Sequence, residues 1–120
     1  MSIETEWNPA PDADLALAAE VYAGAGHPAP EKIDHPGQPD PVGTASARLD
    51  GELLAWATVY PVDDGAWVET MLPSRLARQL RAQGYDDMPP TDDEVAAYED
   101  LFRLVADKAR DAGYGTLRWA

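Results

Sequence analysis

The sequence predicts an α+β fold. It reads as a mixed sheet of about five strands, in the order strand, helix, three-strand antiparallel meander, helix, helix, strand. Three observations predict it. Glu52–Pro73, ELLAWATVYPVDDGAWVETMLP, is two apolar strands joined by an Asp-Gly turn. A second Asp-Gly pair, Asp50-Gly51, adds another strand on the N-terminal side, because both residues of a tight hairpin turn need positive φ. Thr91-Asp92-Asp93-Glu94 is a capping box, with a cap hydroxyl and a glutamate three residues on, and it opens the longest helix.

Taken in order, Ser2–Trp7 alternates, with Ile3, Thr5 and Trp7 opposite Glu4 and Glu6, as a strand with one wet face does. Asn8-Pro9-Ala10-Pro11 breaks it. Asp12 or Asp14 then caps a helix running to about Ala23, with Leu15, Ala18, Ala19 and Tyr22 on one stripe. Residues 26–43 read as a loop, because Pro28, Pro30, Pro36, Pro39 and Pro41 interrupt regular structure. The loop holds both histidines, His27 and His35, but at no spacing that a metal site uses, so no metal is expected.

Thr44–Leu49 is the first strand of the meander. Glu52–Tyr60 is apolar on both faces, as a central strand is, with Leu53, Ala55, Ala57 and Val59 opposite Leu54, Trp56, Thr58 and Tyr60; Pro61 is expected to end it. Ala66–Leu72 is the third strand. Ser74 is expected to cap a short helix over Arg75–Gln83, stopped by Gly84, with a turn over Tyr85–Pro90. The long helix follows to about Ala112, with Tyr98, Leu101, Phe102, Val105, Ala109 and Ala112 as its apolar stripe. Thr116–Trp119 starts a last strand.

Composition narrows the function. At 120 residues the chain is expected to be one domain, large enough to bury a core without staples. It has no cysteine, which rules out disulfides, thiolate metal sites and a cysteine nucleophile. With 22 acidic and 9 basic residues its formal charge is -13, which opposes binding to nucleic acid or to an anionic membrane. No segment reads as a leader or a membrane span, so a cytoplasmic protein is expected. No Ser-His-Asp set, P-loop or dinucleotide fingerprint is present.

The stretches LDGELLAWATVYPVDDGAWVETMLP and DLFRLVADKARDAGYGTLRW resemble the GNAT superfamily of N-acetyltransferases. The first is similar to that family's meander running into its fourth strand, the second to its third helix and fifth strand. The likeness spans residues 44–120 well and 3–24 loosely, so the chain reads as the family's N-terminal two-thirds, truncated after the fifth strand. The resemblance implies acetyl-CoA as cofactor and a small amine as acceptor. The pantetheine arm would run beside the strand ending in Met71 and Leu72, with phosphates near Ser74, Arg75 and Arg78. It also implies a catalytic set of Glu69 as base, with Tyr60 and Tyr85 as proton donor or substrate wall. The chain departs from the family's phosphate loop: Gln79 and Arg81 stand where glycines are wanted. Glu69 also reads as a plain cross-strand charge, and the arginines as a solvated helix face. The alternative is therefore a non-catalytic, acidic GNAT-like interaction module that meets a protein partner. An open edge at the last strand favours a homodimer.

Overall fold

A computed structural model describes residues 2–31, 40–63, 65–82 and 89–119. The elements are β1 (Ile3–Asn8), α1 (Ala13–Gly24), β2 (Gly43–Leu49), β3 (Glu52–Val62), β4 (Gly65–Met71), α2 (Pro73–Ala82), α3 (Asp92–Asp111) and β5 (Leu117–Trp119). The five strands form one sheet in sequence order. β1 to β4 pair antiparallel, and β5 joins β4 in parallel. The expected mixed sheet and meander are both present.

The Asp50-Gly51 turn has the backbone its sequence demands, with φ of 52° and 83°. β3 runs on through Pro61 and Val62 to the next turn, which corrects the expected stop at Tyr60. β2 begins its pairing at Gly43, opposite Val59, so Pro61 pairs only with Ala66 of β4 and breaks no ladder on the β2 side. The alternation expected for β3 also changes at its start. Ala47 faces Ala55 while Arg48 faces Leu53, so Leu54 is an extra residue. The bulge puts Leu53 on one face of the sheet, with Trp56, and Leu54 on the other, with Ala55.

One face is covered by α3. Its floor is small: Ala45, Ala47, Ala55, Ala57 and Ala66 are buried, filled out by Val59 and Val68. Ala97, Leu101 and Val105 of α3 lie on it. Small side chains under a helix let its axis approach the sheet, and the resulting dense packing holds the two layers together. The expected α3 stripe needs one correction: Phe102 is 51% exposed and Ala112 is exposed, while Ala97 is buried.

The other face carries α1 and α2. Ala18 and Val21 pack on Leu53 and Trp56, with Leu17, Tyr22, Met71, Leu76 and Ala77 around them. The expected α1 stripe is rotated: Ala13, Asp14, Ala18 and Val21 are its buried residues. The helix is apolar on nearly every side, so periodicity alone does not set its rotation. Asp12 occupies the cap position but its side chain makes no capping bond. Among the described residues, no helix is long and apolar enough to cross a membrane.

Candidate functional site

Two places on the α1–α2 side gather polar groups. The first lies on the sheet. By strand alternation Thr58 and Tyr60 of β3 share a face with Trp56, and Glu69 of β4 lies directly opposite Thr58. Asp14, in the first turn of α1, is buried above them. Tyr60 has no exposed surface, and burial pushes its phenol well above the ordinary range, with the charges of Asp14 and Glu69 pushing the same way. It is therefore neutral at any physiological pH and walled off from solvent. Glu69 is half-buried. Thr44 and Thr58 meet through their hydroxyls at 3.4 Å, extending the polar row to β2. The sequence-expected pair Glu69 and Tyr60 is thus brought together, while Tyr85 lies outside the described residues.

β5 pairs with β4 only over Ala66, Trp67 and Val68. Glu69–Met71 pair with β3 alone among the described residues.

The second place is a cleft of about 640 Å³ between α1, the β2–β3 turn, α2 and the start of α3. Val21, Leu53, Leu54 and Ala77 give it an apolar floor. Its wall carries the acidic Glu20, Glu52, Asp93 and Glu94 together with the basic Arg78 and Arg81. Glu20 is held by Arg48 through two bonds of 2.9 and 3.0 Å. Of the residues expected to hold a cofactor, Ser74 and Arg78 line this cleft. Arg75 is half-buried outside its lining, Met71 packs with the Trp56 group, and Leu72 is core beneath α3.

Ser74 is not the α2 cap, because the helix already begins at Pro73. Its hydroxyl donates instead to Glu94 Oε2 at 2.5 Å, across 20 residues of sequence. The other oxygen of Glu94 accepts from the Thr91 amide at 2.9 Å, and Thr91 Oγ1 accepts from the Glu94 amide at 3.2 Å. Both halves of the capping box are present. Burial alone would push the Glu94 carboxyl up; the bonds from Ser74 and Thr91, with Arg78 nearby, outweigh it and hold the carboxyl below its ordinary value. Glu94 is thus an ionised carboxylate, 4% exposed, tying the first turn of α2 to the first turn of α3. The box was legible as Thr-x-x-Glu. The bond to Ser74 was not, since no local pattern links residues that far apart.

No protein-family model matches the sequence, and no curated protein matches it. The structure does have a neighbour. It is similar to the ribosomal-protein-alanine N-acetyltransferase from Brucella melitensis biovar Abortus 2308, with a TM-score of 0.55 and 19% identity, over 99% of this chain and 79% of that one. The fold is GNAT-like. At that identity the likeness carries the fold alone.

The sequence resemblance implies acetyl-CoA, and the residues fit it unevenly. Among the described residues Glu69–Met71 of β4 pair with β3 alone, and an edge of that kind suits an extended arm. The phosphate end does not fit. Among the described residues two helices lie between β4 and β5, and Glu94 engages the first turn of each. Asp92 and Asp93 add two more carboxylates at the start of α3, where an incoming diphosphate would meet like charge. α2 opens with Pro73, which has no N–H to offer. Among the described residues, no group of three or more His, Asp or Glu is arranged to hold a metal ion.

Proposed function

We propose that this chain is a GNAT-fold binding module that acts through a protein partner and does not grip CoA. The observation that carries this reading is Glu94. A buried, ionised carboxylate stands at the first turns of both helices that follow β4, where a diphosphate would need bare amides and positive charge. Removing it would leave Ser74 and Thr91 without their acceptor, so it is built into the fold. The net charge of -13 works in the same direction, since it disfavours any polyanionic ligand. Isothermal titration of the protein with acetyl-CoA tests this. No saturable heat is expected at low or moderate salt. Binding at one CoA per chain would overturn the reading.

A second reading, acyl transfer from acetyl-CoA to a small amine, is favoured by one observation. Glu69 is a half-buried carboxylate placed where β5 leaves β4, the group that deprotonation of an amine requires. Glu69→Gln separates the two. An acyltransferase loses turnover with its fold intact; a binding module shows no change tied to that carboxyl.

A further inference from the structure

The two large apolar side chains that are exposed among the described residues are Val95, at 43%, and Phe102, at 51%. They lie on one stripe of α3. Seven residues separate them, two turns of helix, so they point the same way, with Tyr98 and Glu99 between them. Phe102 stacks on Trp119 of β5, ring centroids 5.0 Å apart and planes 19° from parallel. The stripe therefore continues from the helix onto the last strand of the sheet. Tyr98, Glu99, Phe102 and Arg103 line a shallow depression of about 380 Å³ there. A single exposed apolar residue needs no explanation, but a continuous aromatic patch rimmed by charge marks an interaction surface.

The charges say which partner fits. Glu99 and Arg103 are one turn apart and flank Phe102; Arg103 also pairs with Asp100 of its own helix at 3.0 Å, through one nitrogen of an exposed guanidinium that has further donors to offer. When two copies of α3 cross antiparallel about a twofold axis between these residues, Glu99 of each copy faces Arg103 of the other. The same rotation brings the two Phe102 rings to the centre of the contact. A surface that carries both members of a charge pair on either side of its apolar centre is complementary to itself. We infer that the outer face of α3, centred on Phe102 and bounded by Trp119, is a twofold interface that takes a second copy of this chain. The inference rests on the reading of the chain as a partner-binding module and names the partner.

Analytical ultracentrifugation across a concentration series tests it. The wild-type chain is expected to reach twice the monomer mass. Phe102→Ser removes an exposed ring and so leaves the fold in place, and it is expected to raise the dimer dissociation constant at least tenfold. Glu99→Arg and Arg103→Glu are each expected to weaken the dimer several-fold, because each places two like-charge pairs across the axis. The double variant Glu99→Arg/Arg103→Glu is expected to restore it. A monomer at every concentration overturns the inference, as does a dimer untouched by Phe102→Ser or a double variant no tighter than its parents. Circular dichroism of each variant checks folding, and the charge pair keeps the test decisive if Phe102→Ser does not fold. A chain that dimerises this way and also binds acetyl-CoA would overturn the binding-module reading while leaving the interface standing.

Discussion

The two faces of the sheet are built from opposite materials. Under α3 the floor is alanine and valine, and the helix meets it with Ala97, Leu101 and Val105, so the layer between them is built of apolar side chains. Under α1 and α2 the same strands present Trp56, Thr58, Tyr60 and Glu69, and α1 lowers Asp14 onto them. The first face exchanges water for close packing and gains stability from it. The second encloses polar groups that must all find partners, and it is also the side on which the large cleft opens. Close packing is thus concentrated on one face, and polar groups and concavity on the other.

The comparison predicts a graded response to substitution. Leu101→Ala, at a fully buried position of the α3 face, is expected to destabilise by about 2–5 kcal/mol, read from urea denaturation. A much smaller loss would mean that the α3 face is not the close-packed one. Glu94→Ala removes the cap partner and the acceptor of Ser74, and is expected to cost about 1–2 kcal/mol. Glu94→Gln keeps the shape of the box and should cost less. This contribution depends on pH. Because the folded carboxyl lies below its ordinary value, the stabilisation is fully present above about pH 4.3, the unfolded value, and is lost as pH falls toward the folded one. Denaturation midpoints of wild type and Glu94→Gln should therefore converge on acidification. A gap that widens instead would show that the charge of Glu94 is not what stabilises the junction. The smallest effect is expected at Glu20→Gln. Its ion pair with Arg48 is exposed, 51% and 33%, and its loss should change stability by less than about 1 kcal/mol. A larger effect would show that the rim of the cleft, and not only its floor, holds α1 in place.

Much of the apolar face was readable from the sequence. Alternation placed β1 and β2, the doubly apolar run placed β3, the Asp50-Gly51 pair set the hairpin between β2 and β3, and Thr91 caps α3 as its box predicts. These signals are local, so one sequence contains them whole. The polar face was less readable for the same reason. Nothing near Asp14 distinguishes a capping aspartate from one buried over Tyr60, because α1 is apolar all round and its rotation is set by the sheet it meets. Ser74 reads as a cap by every local rule, yet it becomes a tether to Glu94 because the chain folds back over 20 residues to bring them together. Phe102 fits a helical stripe by spacing, but a 3.6-residue period has width, and only packing decides which edge of the stripe is left outside.

Leu54 has a consequence for how this fold tolerates change. Side chains on a strand follow a frame of two, and one extra residue shifts that frame without breaking the strand. Everything in β3 after the bulge keeps the assignment that puts alanines under α3 and Trp56, Thr58 and Tyr60 toward α1; Leu53, before it, is in the other phase. Deleting Leu54 would therefore join Leu53 directly to Ala55 and restore plain alternation, because Arg48–Leu53 and Ala47–Ala55 are already consecutive pairs of the ladder. Each face would keep its residues, and what would be lost is the bulge with the side chain that Leu54 adds under α3. An insertion on either side of the bulge has no such place to go: it would move the hairpin turn or carry the aromatic residues of β3 to the wrong face.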